Sequence, residues 1–274
     1  MNKRFLVIDQ NYLRTPQLKA LLEDDRIRIV LPDLALLEMT KGMHREVTIR
    51  NSLAELSNYP DRVYIAEATS TCLQYELSNK QSVSGHLVHK KGTNFLRKIL
   101  EALRVGDKNG ELLLVLNDPD GHIPALERQY FDHSDNKNRA LDLVHAAKLD
   151  MSTDFAKRIR SGKATMDERL AFVHERASSI SINVLADYGF SNEKATMFIR
   201  KKPMLLRYFY LNIWDCLVWE CQGRLESLAS RHVSNDLLDR DYILAATFFD
   251  GLLTSEKRMN EAYSAILQLI KRRA

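Results

Sequence analysis

The chain has 274 residues, enough for one large domain or two small ones, and its 45% hydrophobic and 28% charged content is that of an ordinary globular protein. A formal net charge of +4 is too small for composition alone to announce a nucleic-acid binder, and it permits one only through clustered basic residues. No window of about 18 uncharged apolar residues occurs, so no transmembrane helix is expected, and Cys72, Cys216 and Cys221 have neither a disulfide framework nor a zinc spacing, which places the expected protein in the cytoplasm with reduced thiols.

MNKRFLVIDQ reaches an acid and an amide within ten residues, so it reads as a first strand and not as a signal peptide. Residues 5–8 are a continuous apolar run rich in β formers, the pattern of a strand buried on both faces, and the run ends at Asp9. Thr15-Pro16 opens a helix with Leu18, Leu21 and Leu22 on one face. Residues 27–31 form a second strand. Pro32-Asp33 then starts a helix through LALLEMTKG, with Asp33 as its N-cap, Glu38 on it and Gly42 near its stop. Residues 46–56 form another helix ended by Pro60, and residues 63–66 a third strand.

From about residue 69 to 230 helical periodicity dominates, with helices expected over 93–104, 137–161, 166–188 and 204–230. The run 111–116 fits strand or helix equally, and 117–121 is a turn cluster. Residues 204–221 are apolar nearly all round and read as a central buried helix. The α/β pattern then returns: a helix carrying Asp236, Asp239 and Asp241 at its start, a strand over 251–254, Glu256, and a closing amphipathic helix. The order implies an α/β fold with a doubly wound parallel sheet built from residues 1–68 and 231–274, interrupted by a large helical insertion over 69–230.

In open parallel sheets ligands bind beyond the carboxyl ends of the strands. Asp9, Glu38, Asp239 and Glu256 have positions from which they could converge there. Asp236 lies three residues from Asp239, on the same helical face, whereas Asp241 is turned away. Several carboxylates at one point repel unless a cation offsets them, and Mg²⁺ or Mn²⁺ prefers oxygen ligands and can activate a water.

FLVIDQN (5–11), LPDLALLEMTKG (31–42) and NDLLDRDYILAATFFDGLLTSEKRM (235–259) together resemble the PIN-domain nucleases, of the larger PIN-like kind with inserted helices. The resemblance covers roughly the first 65 and last 40 residues. It implies a Rossmann-type sheet and Mg²⁺- or Mn²⁺-dependent phosphodiester hydrolysis, more often of RNA than of DNA. The family's acids fall on Asp9, Glu38 and Asp239, with Asp236 an equally arguable ligand. Its small hydroxyl residue falls on Thr254, and Glu256 stands where the family usually carries aspartate.

The histidines supply no metal spacing: His86 and His89 adjoin Lys90 and Lys91 in a polar loop, and His133 with Asp135 sits in a polar turn. Basic clusters at Lys90-Lys91, Arg97-Lys98 and Arg200-Lys201-Lys202 are the candidate nucleic-acid contacts, the last beside an aromatic run. The expected function is an endoribonuclease of toxin or defence-effector type, held by an inhibitory or activating protein partner or acting as a homo-oligomer, without a membrane. Two alternatives stay open: a catalytically inactive PIN-like scaffold, and a DNA nuclease or small-phosphoester hydrolase on the same core.

Overall fold

The computed structural model describes residues 2–40, 44–106, 133–148, 151–222 and 225–272. Among them, β1 (Arg4–Ile8), β2 (Ile27–Leu31), β3 (Val63–Ile65) and β4 (Gly251–Leu253) form a four-stranded sheet in the order β3-β2-β1-β4, with every pairing parallel. The apolar runs that marked the strands have the reason expected of them. Leu6, Val7, Ile8, Ile29, Val30, Leu31, Val63 and Ile65 are all buried, as in a sheet covered on both faces. Leu6 pairs with Gly251 and Ile8 with Leu253, so the late strand lies beside the first. Gly251 is suited to that register: a Cβ there would stand 3.2 Å from the Leu6 side chain.

Parallel strands need crossovers, and helices supply them. Pro16–Leu22 links β1 to β2, while Asp33–Thr40 and Arg45–Leu53 lie between β2 and β3. Helix Lys90–Arg104 packs on β3, where the Thr93 hydroxyl accepts a hydrogen bond from the Ile65 amide at 3.0 Å. The result is an α/β, Rossmann-like sheet with flanking helices.

Contacts divide the chain into two units. The sheet unit comprises the described residues of Met1–Thr69, Ser84–Tyr130 and Asp241–Asn260; the helical unit comprises those of Ser70–Val83, Phe131–Arg240 and Glu261–Ala274. In the helical unit, Met204–Cys221 is the buried helix its composition predicts, with Tyr210 and Trp219 inaccessible. It packs against Met166–Asp187, which opens with a Thr165–Glu168 capping box.

Several helix boundaries differ from expectation, each for a local reason. The span 137–161 is two helices, His133–Lys148 and Thr153–Arg160, because the Ser152 hydroxyl caps the Phe155 amide at 3.2 Å and restarts the helix. The span 204–230 stops at Cys221 and is followed by a 3-10 turn, Leu225–Ser227. The helix bearing the late acids begins at Ser230, where the Ala229 carbonyl receives the His232 and Val233 amides. Asp236 therefore sits beyond the first turn, out of reach of the positive end of the helix dipole. The predicted stop at Gly42, the run 111–116, the turn 117–121 and the side chain of His133 lie outside the described residues. Among the described residues no helix is long and apolar enough to cross a membrane.

Helix Thr69–Asn79 escaped the periodic reading because its fully buried position is a charge. Glu76 accepts hydrogen bonds from the Met204 amide (3.0 Å), the Leu205 amide (3.0 Å) and the Val83 amide (3.3 Å). It thereby caps helix Met204–Cys221, which has no side-chain cap of its own from Pro203. Burial nevertheless raises its pKa above the ordinary glutamate value. The folded state then keeps a proton that the unfolded chain has released. This contribution to stability is complete below the unfolded pKa and is lost as pH rises through the folded one. Glu76→Ala, which orphans three buried amides, is expected to destabilise by about 3 kcal/mol, and Glu76→Gln by about 1 kcal/mol. Urea melts between pH 4 and 8 check both, and the pH slope should be shallower in the Gln variant.

Candidate functional site

The carboxyl edge of the sheet carries a row of acids. Asp9 directly follows β1, Asp33 and Glu67 come two residues after β2 and β3, and Glu256 comes three after β4. Parallel pairing brings these strand ends to one side of the sheet.

Asp9 is the most constrained of them, at 5% exposure. Its amide continues the β1–β4 ladder to the Leu253 carbonyl at 2.9 Å, which sets its side chain beside Thr254. The Thr254 hydroxyl donates to Asp9 Oδ2 at 3.1 Å, and the Asn11 amide approaches Oδ1 at 3.4 Å. The same hydroxyl accepts the Glu256 amide at 3.0 Å, while Asn11 Nδ2 donates to Glu256 Oε1 at 2.9 Å. Asn260 Nδ2 donates to the Thr254 and Glu256 carbonyls and so fixes the loop between β4 and helix Lys257–Lys271. Asp9, Asn11, Thr254 and Glu256 thus form one connected group from the two ends of the sequence. Burial raises the pKa of Asp9, the Thr254 hydrogen bond opposes that shift, and the nearby Glu256 charge adds to it.

A second pair stands at the next strand end. Burial raises the pKa of Asp33, the Leu34 amide (2.9 Å) opposes the shift, the Glu67 charge adds to it, and His89 counteracts it. Sequence reasoning treated Asp33 as an N-cap. In the structure it is the first residue of helix Asp33–Thr40. The rule that picked out Asp9, an acid just past a buried strand, applies to it equally.

Glu38 lies on that helix, half-buried, and accepts the Tyr242 hydroxyl. Tyr242 was missed because a phenol in an apolar helix reads as core. Asp241, judged to point elsewhere, belongs to the sheet unit and accepts the Thr69 hydroxyl at 2.9 Å. Asp236 and Asp239 belong to the helical unit. There Asp236 accepts the Trp219 indole N–H at 2.7 Å. The expected five-acid cluster is therefore divided between the units: Asp9, Glu38 and Glu256 in one, Asp236 and Asp239 in the other. Among the described residues, no group of three or more His, Cys, Asp or Glu side chains is arranged to hold a metal ion.

Of the basic candidates, Lys90, Lys91 and Lys98 are exposed on helix Lys90–Arg104 and Arg97 is half-buried there. Arg200 and Lys201 are exposed in the helical unit. Lys202 departs from the expected basic surface: it is buried in a left-handed backbone conformation (φ 52°), and desolvation lowers its pKa.

Comparison with family models, with curated proteins and with solved structures finds no match to this chain.

The side chains grouped at Asp9 offer carboxylate, hydroxyl and amide oxygens, the ligand type a hard divalent ion prefers. Mg²⁺ commonly takes one or two carboxylates and completes its shell with water and substrate phosphate, so the Asp9–Glu256 pair fits it without a third acid. The desolvated Asp9 carboxyl beside a second negative charge is also the electrostatic situation that a cation relieves.

Proposed function

We propose that the sheet unit is a Mg²⁺- or Mn²⁺-dependent phosphodiesterase of PIN-like type, acting on RNA in the cytoplasm. The observation that carries this reading is the buried Asp9 carboxyl at the end of a central parallel strand, joined through Thr254 and Asn11 to Glu256. The resemblance of residues 5–11, 31–42 and 235–259 to PIN-domain nucleases supports hydrolysis and favours RNA over DNA. Asp9 and Glu256 would hold the ion. When bound there, it would supply an acidified water and positive charge against the developing phosphorane.

The chain's own residues set up that chemistry. The Thr254 hydroxyl fixes the Asp9 rotamer, and the Asn11 amide makes a long contact to Oδ1. Asn11 holds Glu256 toward the same strand ends, and the Tyr242 phenol orients Glu38 on the neighbouring helix. Labelled single-stranded RNA, duplex RNA and DNA incubated with Mg²⁺ or Mn²⁺ provide the test. Cleavage of RNA is expected, abolished by EDTA and by Glu256→Ala; activity surviving both treatments would sink the reading.

The scaffold alternative draws on a different observation, the engagement of Asp236 by Trp219 in the helical unit. It requires no ion. A melting temperature unmoved by millimolar Mn²⁺, together with RNA binding but no cleavage, would select it.

A further inference from the structure

The sheet unit holds a second feature that the carboxylate site does not use. An open cleft of about 630 Å³ lies on the sheet, its walls including Phe5 of β1, Tyr64 of β3, and Phe248 and Phe249 just before β4. The Phe5 ring meets Tyr64 edge-on, with centroids 5.4 Å apart, and lies 6.4 Å from Phe249 at a tilt of 32°. All four aromatic side chains are half-exposed, so ring surface faces the cleft instead of being sealed in core. Helix Lys90–Arg104 contributes Lys90, Asn94 and Arg97 to the lining.

Arg97 is thinly satisfied for a half-buried guanidinium. It stacks 5.1 Å from the Tyr64 ring centroid, Nη2 reaches only the Asp61 carbonyl at 3.4 Å, and buried Nε has no hydrogen-bond partner among the described residues. No carboxylate lines the cleft among the described residues; the nearby Asp250 side chain is engaged by the Phe5 amide at 2.6 Å. The volume falls within the range of small-ligand sites, roughly 300–1,000 Å³. Half-exposed aromatic rings beside two cations and an amide call for a planar ring carrying an anionic group.

We infer that this cleft binds a nucleotide unit, with the base on the Phe5–Tyr64–Phe249 shelf and the phosphate at Arg97 and Lys90. Stacking of bases on aromatic side chains needs no particular sequence, and the arginine fork suits phosphate oxygens. The ligand is either a free nucleotide or one residue of a strand, since both present this chemistry.

Binding of AMP, adenosine, ribose 5-phosphate and a short labelled single-stranded RNA to the full-length chain is measured in EDTA, so the result is independent of cleavage. AMP is expected to bind more tightly than either of its parts if the ligand is free, and RNA alone to bind if it is a strand; either outcome supports the cleft. Arg97→Gln and Lys90→Gln should each weaken that binding about tenfold. Binding of neither probe, or affinity unchanged in both variants, overturns the inference. Should Arg97→Gln lower the melting temperature, the exposed Lys90→Gln decides alone.

Discussion

Asp9→Asn is expected to raise the stability of the metal-free protein by about 1 kcal/mol, a few degrees in melting temperature, while lowering divalent-ion-dependent cleavage roughly a thousandfold or more. The two effects have one cause. Ionised, the carboxylate is a charge in a place that burial makes unfavourable and that Glu256 makes more so. Asparagine keeps an oxygen to accept the Thr254 hydroxyl and fills nearly the same volume, so it removes the electrostatic cost without opening a cavity. A charge retained where it destabilises the fold is one a ligand can use, and its removal should cost function. Thermal melts with and without Mn²⁺ separate the readings. The natural protein should gain stability from the ion by mass action and the variant should not. A variant that is less stable and cleaves as well as the natural protein would make Asp9 a structural residue.

The strands were the legible part of the fold. Phe5-Leu6-Val7-Ile8 and Ile27–Leu31 are uninterrupted but for Arg28, because a parallel strand under helices meets apolar groups on both sides. Helices were less legible wherever a polar group replaced the apolar signal. Glu76 is the buried residue that organises Thr69–Asn79, and no periodicity of hydrophobic residues contains it. Helix Asn192–Arg200 did carry a signal, Ser191 as cap and Ala195, Phe198 and Ile199 one turn apart. The short stretch between Gly189 and Pro203 obscured it.

At the site, Asp9, Thr254 and Glu256 were recoverable because they follow strands whose ends a parallel sheet must align. Choosing among Asp236, Asp239 and Asp241 was not possible from helical phase alone. Phase says which residues share a face but not which unit that face meets. Asp241 and Tyr242, a turn beyond Asp236, take part in the sheet unit through Thr69 and Glu38. Polar hydrogen bonds between residues this far apart in sequence leave no periodic trace.

The largest loss of stability is expected from Arg240→Ala. Arg240 and Asp215 are both nearly inaccessible, and Nε donates to Asp215 Oδ2 at 2.6 Å. A second nitrogen donates to Asn212 Oδ1, and the guanidinium lies 5.6 Å from the Trp219 ring centroid. Trp219 in turn donates to Asp236, so the five residues of this network all lie within the helical unit. Truncating one member of a buried ion pair leaves the other charge without compensation and costs about 3–5 kcal/mol. That is a large share of the roughly 5–15 kcal/mol that holds a typical domain folded. Replacing both charges, as Arg240→Met with Asp215→Leu, should recover most of the loss, because neither member of the pair is then left as an uncompensated charge. Denaturant melts followed by helical circular dichroism measure all three. The network also gives Asp236 a role that mutation can test. Asp236→Asn keeps an acceptor for the indole N–H and should cost under about 1 kcal/mol, whereas Asp236→Leu strands that donor and should cost about 1–3 kcal/mol. If the Asn variant also cleaves RNA as well as the natural protein, Asp236 is a support for Trp219 and the chemistry belongs to the strand ends around Asp9.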